Sequence, residues 1–334
     1  MNKDERPVMV TIRCITYNHE RYIRQCLDGF VMQKTNFRFE IVIHDDASTD
    51  RTAEIIREYV NKYPELFVPI FEEENQYNNW DHVVELINAK IRGKYIAMCE
   101  GDDYWIDPLK LQKQVDYLEE HPKCTMTCCR ALLFSQKDKK IIGEQYCQKH
   151  NGVLDPKDII NRTGLYIPTC GLVHRKSIMS DYPDYCMKCA VGDYPLQIFC
   201  AMKGEIYYFD NPMCVYRVSN PTSWMSTQEW GTVNDERLAV IKSQIEMFRG
   251  FACDNKRYQK IFQAKIANHI DRNVPSWRHP NDVHKYVMYF EEEIKRYNIR
   301  WKIDLAIIKC RVPLVRLLYN KIFLRKYMQL RNSY

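Results

Sequence analysis

The stretch EIVIHDDASTD, residues 40–50, decides the fold that the sequence predicts. It begins inside a short apolar run, Phe39 to Ile43, which is typical of a buried strand. The run ends on Asp45-Asp46, and Ser48-Thr49-Asp50 then offers the N-cap chemistry of a helix. A strand that ends on acids and leads into a helix is typical of a sheet that binds ligands at one edge.

The same strand-and-helix unit recurs on both sides of this stretch. The chain has three more predicted strands, Val8 to Ile15, Leu66 to Phe71 and Tyr95 to Cys99, and further helical patterns at Arg21 to Gln33, Trp80 to Ile91 and Leu109 to Glu120. This alternation predicts a parallel sheet with helices on both faces. Two predicted strands end near paired acids, Asp45-Asp46 and Asp102-Asp103. We therefore expect a binding site where the strand ends meet.

The composition limits the class of protein. The chain has 334 residues, 46% of them hydrophobic, and a formal net charge of +6. No stretch approaches the roughly 20 apolar residues of a membrane span, and the polar N-terminus has no apolar signal core. The 14 cysteines are scattered, which predicts reduced thiols in a cytosolic protein. The pair Cys186 and Cys189 leaves a structural zinc site open, although buried thiols are the favoured interpretation.

The order of the motifs closely resembles family 2 glycosyltransferases with the GT-A fold. The resemblance covers residues 8–225 and is carried by the blocks at residues 10–18, 40–50, 93–97, 100–105, 107–114, 192–195 and 215–217. It implies an α/β, Rossmann-like nucleotide-diphospho-sugar transferase domain over residues 1–225. The remaining residues, 226–334, read as a helical C-terminal region with a basic amphipathic tail.

The resemblance also implies which residues bind the donor. Asp46 would recognise the base of the nucleotide, and Ile15 and Tyr17 would form a wall of the same pocket. Asp102 would contact the ribose or the metal, and Asp103 would bind the metal directly. The expected metal is Mn²⁺ or Mg²⁺, because both prefer carboxylate and phosphate oxygens. For Asp46 alone, a helix-capping role is the alternative.

The remaining predicted site residues lie on the acceptor side. Asp193 is the candidate general base, and capping of the helix that follows it is compatible with that role. Arg217 and Trp224 are candidates for a flap over the donor, and packing is an equal alternative. The sequence departs from the family pattern at Ile15, where a proline is usual, and at Ser219, where many relatives have histidine. The first acid of the family's D-x-D motif is also missing, because the sequence reads Gly101-Asp102-Asp103.

The predicted function is therefore an inverting, metal-dependent hexosyltransferase. It would move a sugar from a nucleotide-sugar donor, with a UDP-sugar favoured, to a hydroxyl group of a glycan or lipid-linked acceptor in bacterial surface polysaccharide synthesis, such as capsule or O-antigen. One alternative is a nucleotidyltransferase, but residues 17–20 lack its glycine-rich phosphate loop. The other is a catalytically silent glycan-binding module. Nucleic-acid binding is disfavoured, because no recognised motif is present.

The tail from Trp301 to Tyr334 is basic and apolar. It contains eight Lys or Arg residues and one acid, Asp304. A basic amphipathic helix can lie on an anionic membrane, although Pro313 would kink it. The alternative is a helix that packs on the protein with a solvated basic face. The expected location is therefore the cytoplasm, with peripheral association at the inner face of the cell membrane left open.

Overall fold

The computed structural model describes residues 6–218, 233–275 and 280–297. These residues form two compact units. The first contains residues 6–182 and 193–218, and the second contains residues 183–192, 233–275 and 280–297. The segment 183–192 therefore lies with the helical region, whereas the sequence suggested a single boundary near residue 225.

The described elements follow the predicted alternation in the first half of the chain. In chain order they are β1 (Val8–Thr16), α1 (Ile23–Val31), β2 (Arg38–Asp45), α2 (Thr52–Lys62), β3 (Phe67–Phe71), α3 (Trp80–Lys90), β4 (Tyr95–Met98), β5 (Tyr104–Trp105), α4 (Lys110–Glu120), β6 (Cys124–Ser135), β7 (Lys140–Gln145), β8 (Gly152–Val153), α5 (Pro156–Asn161), β9 (Val173–Arg175), α6 (Asp184–Met187), α7 (Asp193–Lys203), β10 (Glu205–Val218), α8 (Asp235–Asp254), α9 (Gln259–Arg272), α10 (Pro280–Tyr289) and α11 (Glu291–Tyr297).

The sheet of the first unit has the order β3-β2-β1-β4-β9-β6-β10-β5 within the described residues. Strands β1, β2, β3 and β4 are mutually parallel neighbours, which confirms the predicted parallel sheet. Strand β9 pairs antiparallel with both β4 and β6, and β6 pairs parallel with β10. The carboxyl ends of β1, β2 and β4 therefore lie at one edge of the sheet.

Strand β1 lies between β2 and β4 in the sheet, and apolar side chains pack on both of its faces. Val10, Ile12 and Cys14 point into one core and are fully buried. Helix α1 contributes Cys26, Phe30 and other apolar residues to that core, as the helical spacing predicts. Gly29 lets α1 approach β5 closely, because a Cβ there would lie 2.8 Å from the Trp105 nitrogen. The opposite face of the sheet packs against α3 through a smaller apolar cluster.

The second half of the sheet is more extensive than the sequence indicates. The sequence of Ile206 to Phe209 is typical of a short strand, but β10 continues to Val218 beside the long strand β6. The pairing shifts register between Phe209 and Cys214, around Pro212. This irregularity lets an interrupted sequence stay in the sheet.

The described part of the second unit is helical, as predicted. Its core contains Leu238, Phe248 and Phe251 from α8 and Phe262 and Ile266 from α9. In the part of the chain that the structure describes, no helix is long and apolar enough to cross a membrane. The predicted α/β class with a helical C-terminal region is confirmed.

Candidate active site

The acid loop, residues 100–103, follows strand β4 at the edge of the sheet. It is fixed to the end of β1, because the Gly101 N–H donates a hydrogen bond to the Ile15 carbonyl at 3.0 Å. Only glycine permits this approach, since a Cβ at residue 101 would lie 2.6 Å from Thr16 Oγ1. The position of the acids is therefore determined by strand pairing and by close packing against β1.

Arg217 fixes the same loop from β10. Its backbone N–H donates to Asp103 Oδ1 at 2.8 Å, and its Nε donates to the Asp102 carbonyl at 2.6 Å. The guanidinium also lies 5.0, 5.0 and 5.3 Å from the ring centroids of Tyr22, Tyr104 and Phe134. Of the two roles that the sequence left open for Arg217, a flap or packing, the buried side chain and its contacts with the acid loop favour packing. Trp224, the other flap candidate, lies outside the described residues.

The carboxylates of the acid loop lie close together in a poorly solvated place. Burial raises the pKa of Asp103 well above its usual range, and the negative charge of Asp102 adds to the effect. Glu100 is exposed by its accessible surface, yet protein atoms crowd its carboxyl group. This crowding, together with the charges of Asp102 and Asp193, raises the pKa of Glu100 to about 7. The ionised forms of Glu100 and Asp103 are therefore unfavourable in the folded protein.

Glu100 is a site residue that the sequence analysis missed. We described the first acid of the motif as missing because the expected residue was aspartate at that place. Glu100 lies two positions before Asp102 and supplies a carboxylate on a side chain one methylene longer. The position of Glu100 in the same loop could have identified it from the sequence, since the carboxylates of glutamate and aspartate can both bind a hard cation.

Asp193 begins helix α7 and faces the acid loop. Its Oδ2 accepts a hydrogen bond from Thr169 Oγ1 at 3.1 Å, and its Oδ1 accepts one from the Tyr194 N–H at 2.7 Å. Burial raises the pKa of Asp193, and these hydrogen bonds oppose the shift. The side chain is thus held in one orientation in an environment that disfavours its charge, as suits a general base.

Asp46 lies at the base-binding end of the predicted site and is already hydrogen-bonded. Its Oδ1 accepts the Gln76 N–H at 2.7 Å, and its Oδ2 accepts the Asn75 side-chain amide at 2.9 Å. Tyr17 directly follows Thr16, whose carbonyl accepts the Asp46 N–H, and is 41% exposed. Ile15 is partly buried against the apolar cluster beside α3. Asp46 therefore fixes the loop before α3, whatever else it binds.

The predicted site residues converge on the end of β1. The Thr16 carbonyl accepts the Asp46 N–H at 3.0 Å, and the Thr16 side chain packs against Gly101 of the acid loop. The acid loop in turn lies within electrostatic range of Asp193. The loops after β1, β2 and β4 and the start of α7 thus share one region of the first unit.

The acid loop offers a hard cation the type of ligand it prefers. Glu100, Asp102 and Asp103 supply only oxygen, and their mutual repulsion would be relieved by a bound divalent ion. Across residues 6–218, 233–275 and 280–297, however, no three His, Cys, Asp or Glu side chains are arranged to hold a metal ion. The direct metal contact that we predicted for Asp103 stays a prediction. One of its two carboxylate oxygens already accepts the Arg217 N–H.

Comparison with known proteins adds independent findings. The family model described as "Glycosyl transferase family 2" matches residues 11–179. An uncharacterized protein, Rv1520, of Mycobacterium tuberculosis is 36% identical over 248 residues, which cover 72% of this chain and 69% of the relative.

Two similar solved structures have the same fold at low identity. TarS 1–349 from Staphylococcus aureus in complex with UDP-GlcNAc has a TM-score of 0.52 and 16% identity, over 87% of this chain and 89% of that one. The mannosyltransferase PcManGT from Pyrobaculum calidifontis, in complex with GDP-Man and Mn²⁺, has a TM-score of 0.54 and 15% identity, over 99% and 85%.

Proposed function

The chain belongs to glycosyl transferase family 2, and we propose that it transfers a sugar, with inversion, from a nucleotide-sugar donor to a hydroxyl group of a glycan or lipid-linked acceptor. The observation that carries the proposal is the shared location of the acid loop and Asp193. Residues 169–172 hold Asp193 through the Thr169 hydroxyl and also accept hydrogen bonds from Met98 and Trp105, on either side of the acid loop. The acid cluster would bind the donor, and the half-buried Asp193 carboxylate beside it would act on the acceptor.

The donor would bind with its base near Asp46. A carboxylate has about four acceptor positions, so Asp46 can accept a base N–H while it retains Gln76 and Asn75. Tyr17 and Ile15 would flank the nucleotide. We favour a UDP-sugar because TarS was solved with UDP-GlcNAc, although PcManGT was solved with GDP-Man.

The acid loop would hold the donor diphosphate through a divalent ion. Asp102 and Asp103 are the proposed ligands for Mg²⁺ or Mn²⁺, with Glu100 as an additional carboxylate, and phosphate oxygens would complete the coordination. A bound ion would neutralise negative charge on the leaving diphosphate. Arg217 keeps the loop in place through the Asp102 carbonyl and the Asp103 carboxylate.

Asp193 would accept the proton of the attacking hydroxyl. The oxygen would then attack the anomeric carbon from the side opposite to the leaving phosphate, which inverts the configuration. The Thr169 hydroxyl and the Tyr194 N–H fix the carboxylate. A positioned base of this kind contributes about 10²–10⁴-fold to the rate.

Donor turnover by two variants tests this proposal. We expect Asp193→Asn to reduce release of nucleoside diphosphate from a panel of UDP- and GDP-sugars with Mn²⁺ by about 10²–10⁴-fold. Donor binding, followed as a thermal shift, should persist in Asp193→Asn and weaken in Asp102→Asn. The control is Asp184→Asn, whose side chain is 92% exposed and belongs to the second unit.

Three outcomes distinguish the candidate functions. Wild-type turnover rates in both variants would overturn the assignment of these residues. Donor binding without turnover in the wild type would favour the silent glycan-binding module. Release of pyrophosphate from a nucleoside triphosphate would favour the nucleotidyltransferase.

For the setting, we propose a cytoplasmic enzyme of bacterial surface polysaccharide synthesis. An acceptor carried on a lipid would place the reaction at the inner face of the membrane, and the basic tail would support that contact. The tail lies outside the described residues, so this part of the proposal rests on the sequence.

A further inference from the structure

Arg13 is a cation in the middle of a central strand. Within β1 it is paired with Val42 of β2 and Met98 of β4. Its neighbours Ile12 and Cys14 are fully buried on the other face. The Arg13 side chain is partly buried, and desolvation lowers its pKa even though the negative charge of Glu100 opposes the shift. A charge in such a place destabilises the fold unless it has a partner.

The guanidinium of Arg13 has no such partner among the described residues. No hydrogen bond or ion pair of its side chain occurs there, in contrast to the other cations near the sheet. Arg92 pairs with Glu40, and the Arg217 side chain donates three hydrogen bonds. The nearby acid Glu100 influences Arg13 through its charge alone. Arg13 thus has donors that no protein group in residues 6–218, 233–275 and 280–297 accepts.

The surroundings of Arg13 place it beside the proposed donor site. Glu100 of the acid loop is the acidic residue that acts most strongly on it. Trp80, at the start of α3, has its ring centroid 5.8 Å from the Arg13 guanidinium carbon and remains 41% exposed. The loop that leads to Trp80 is the one that Asp46 holds through Asn75 and Gln76. Arg13 therefore lies between the base-binding end and the acid loop.

We propose that Arg13 binds phosphate oxygens of the nucleotide donor, with the Trp80 indole flanking the same ligand. The inference rests on the proposed function and adds a residue to its donor site. A guanidinium suits this role because its planar donors match phosphate oxygens in pairs. The exposed ring provides an apolar wall beside the charge, where a cation also interacts with the π face.

The main test compares nucleotide binding with nucleoside binding. Isothermal titration with UDP and GDP, and with uridine and guanosine, is performed on the wild type, Arg13→Lys and Arg13→Met. Arg13→Met should lower the affinity for the better diphosphate by about tenfold to hundredfold and leave the nucleoside affinity unchanged. Arg13→Lys should be intermediate. The control Arg24→Met removes an exposed arginine that pairs with Glu58 and should bind like the wild type.

Stability without ligand separates a binding role from a structural one. A buried charge without a partner is destabilising, so Arg13→Met should unfold at the same temperature as the wild type or a higher one. A clear drop in melting temperature would mean that Arg13 supports the fold. It would overturn the inference.

The remaining outcomes are distinguishable from a failure of the proposed function. If the wild type binds neither diphosphate, the proposed function and this inference both fall. If it binds one and Arg13→Met binds it equally well, only the inference is wrong. Equal losses for diphosphate and nucleoside would also overturn it, since they would indicate a distorted pocket.

Discussion

At the scale of single residues, the hydrogen bonds that hold the Asp103 and Asp193 carboxylates come from uncharged donors. Arg217 touches the acid loop through a carbonyl and through its own backbone N–H, not through an ion pair with a carboxylate. Asp193 is held by a hydroxyl and an amide, both uncharged. Carboxylates held without a positive partner destabilise the unliganded protein. They suit a site in which one carboxylate binds a cation and another accepts a proton.

Replacement of Asp193 should therefore stabilise the fold at neutral pH. Burial raises the pKa of Asp193 above its ordinary value of 3.8, so its ionised form is unfavourable in the folded state. The protein is therefore more stable when Asp193 is protonated. This stability is lost as the pH rises from the ordinary pKa of the carboxyl group through its higher pKa in the folded state. Asp193→Asn should melt roughly 2–4 °C above the wild type at pH 7, and the difference should close toward pH 4.

A second aspartate provides a control of opposite sign. Burial opposes it, but hydrogen bonds from Thr52 and from the Glu20 N–H lower the pKa of Asp50. Asp50→Asn should therefore reduce the melting temperature at pH 7, and this loss should shrink at low pH. If Asp193→Asn followed the pattern of Asp50→Asn, the carboxylate of Asp193 would be a structural residue.

The sequence identified some site residues and missed others for a physical reason. Asp102 and Asp193 belong to short motifs whose spacing is visible along the chain. Glu100 was overlooked because the motif led us to expect aspartate. Arg13 lies within an apolar run that reads as buried strand. Its missing partner is visible only when the residues packed against β1 are known.

At the scale of elements, the loops after β1 and β2 hold each other. The Asn18 N–H donates to Ser48 Oγ at 2.9 Å, and Asn18 Oδ1 accepts the Thr49 N–H at 2.8 Å. Farther along, the Glu20 N–H donates to the Asp50 carboxylate at 3.0 Å. Asn18 has a left-handed backbone, with φ of 54°. These bonds keep Tyr17 and Asp46 in place on neighbouring loops.

Substitution of Asn18 should separate the backbone contribution from the hydrogen bond. Asn18→Ala removes the side-chain acceptor and, with it, the local hydrogen bonding that lets asparagine tolerate the left-handed region better than alanine, so we expect a loss of about 2–3 kcal/mol in unfolding free energy. Asn18→Gly loses the acceptor alone and should cost about 1 kcal/mol. Urea denaturation measures both, and the KM for the donor should rise in both variants.

Lys139 provides the matched control for this prediction. It also has a positive φ, 55°, but lies in the exposed turn between β6 and β7. Lys139→Gly should leave the KM unchanged and alter stability little. Equal destabilisation by Asn18→Ala and Asn18→Gly would contradict the backbone argument and leave only the hydrogen bond.

The elements that the sequence predicted well are those whose ends are marked by polar or turn residues. Each strand from β1 to β4 is a short apolar run followed by polar or turn residues, so their existence could be predicted. Strand β10 could not be followed, because Asp210-Asn211-Pro212 reads as a turn. The register shift in its pairing with β6 absorbs that interruption, and no local pattern indicates it.

At the scale of the whole molecule, the positive charge is unevenly distributed. The chain has a net charge of +6, and the tail from Trp301 to Tyr334 alone contains eight basic residues against Asp304. The rest of the chain is therefore close to neutral. Attraction to an anionic surface would depend on the tail and would weaken with salt.

Vesicle binding by the full-length chain tests this division of charge. Each basic residue near an anionic bilayer contributes about 1 kcal/mol, so exchange of Lys321, Arg325 and Lys326 for glutamine should weaken binding by about 100-fold. Co-sedimentation with phosphatidylserine-containing vesicles measures the loss, and phosphatidylcholine vesicles should bind neither form. The matched control exchanges three exposed lysines of the first unit, Lys137, Lys140 and Lys149, and should bind as the wild type does.

Equal weakening by both triple variants would mean that total charge matters and that the tail has no special part. Binding unchanged in the tail variant would favour the alternative, a tail that packs on the protein with its basic face in solvent.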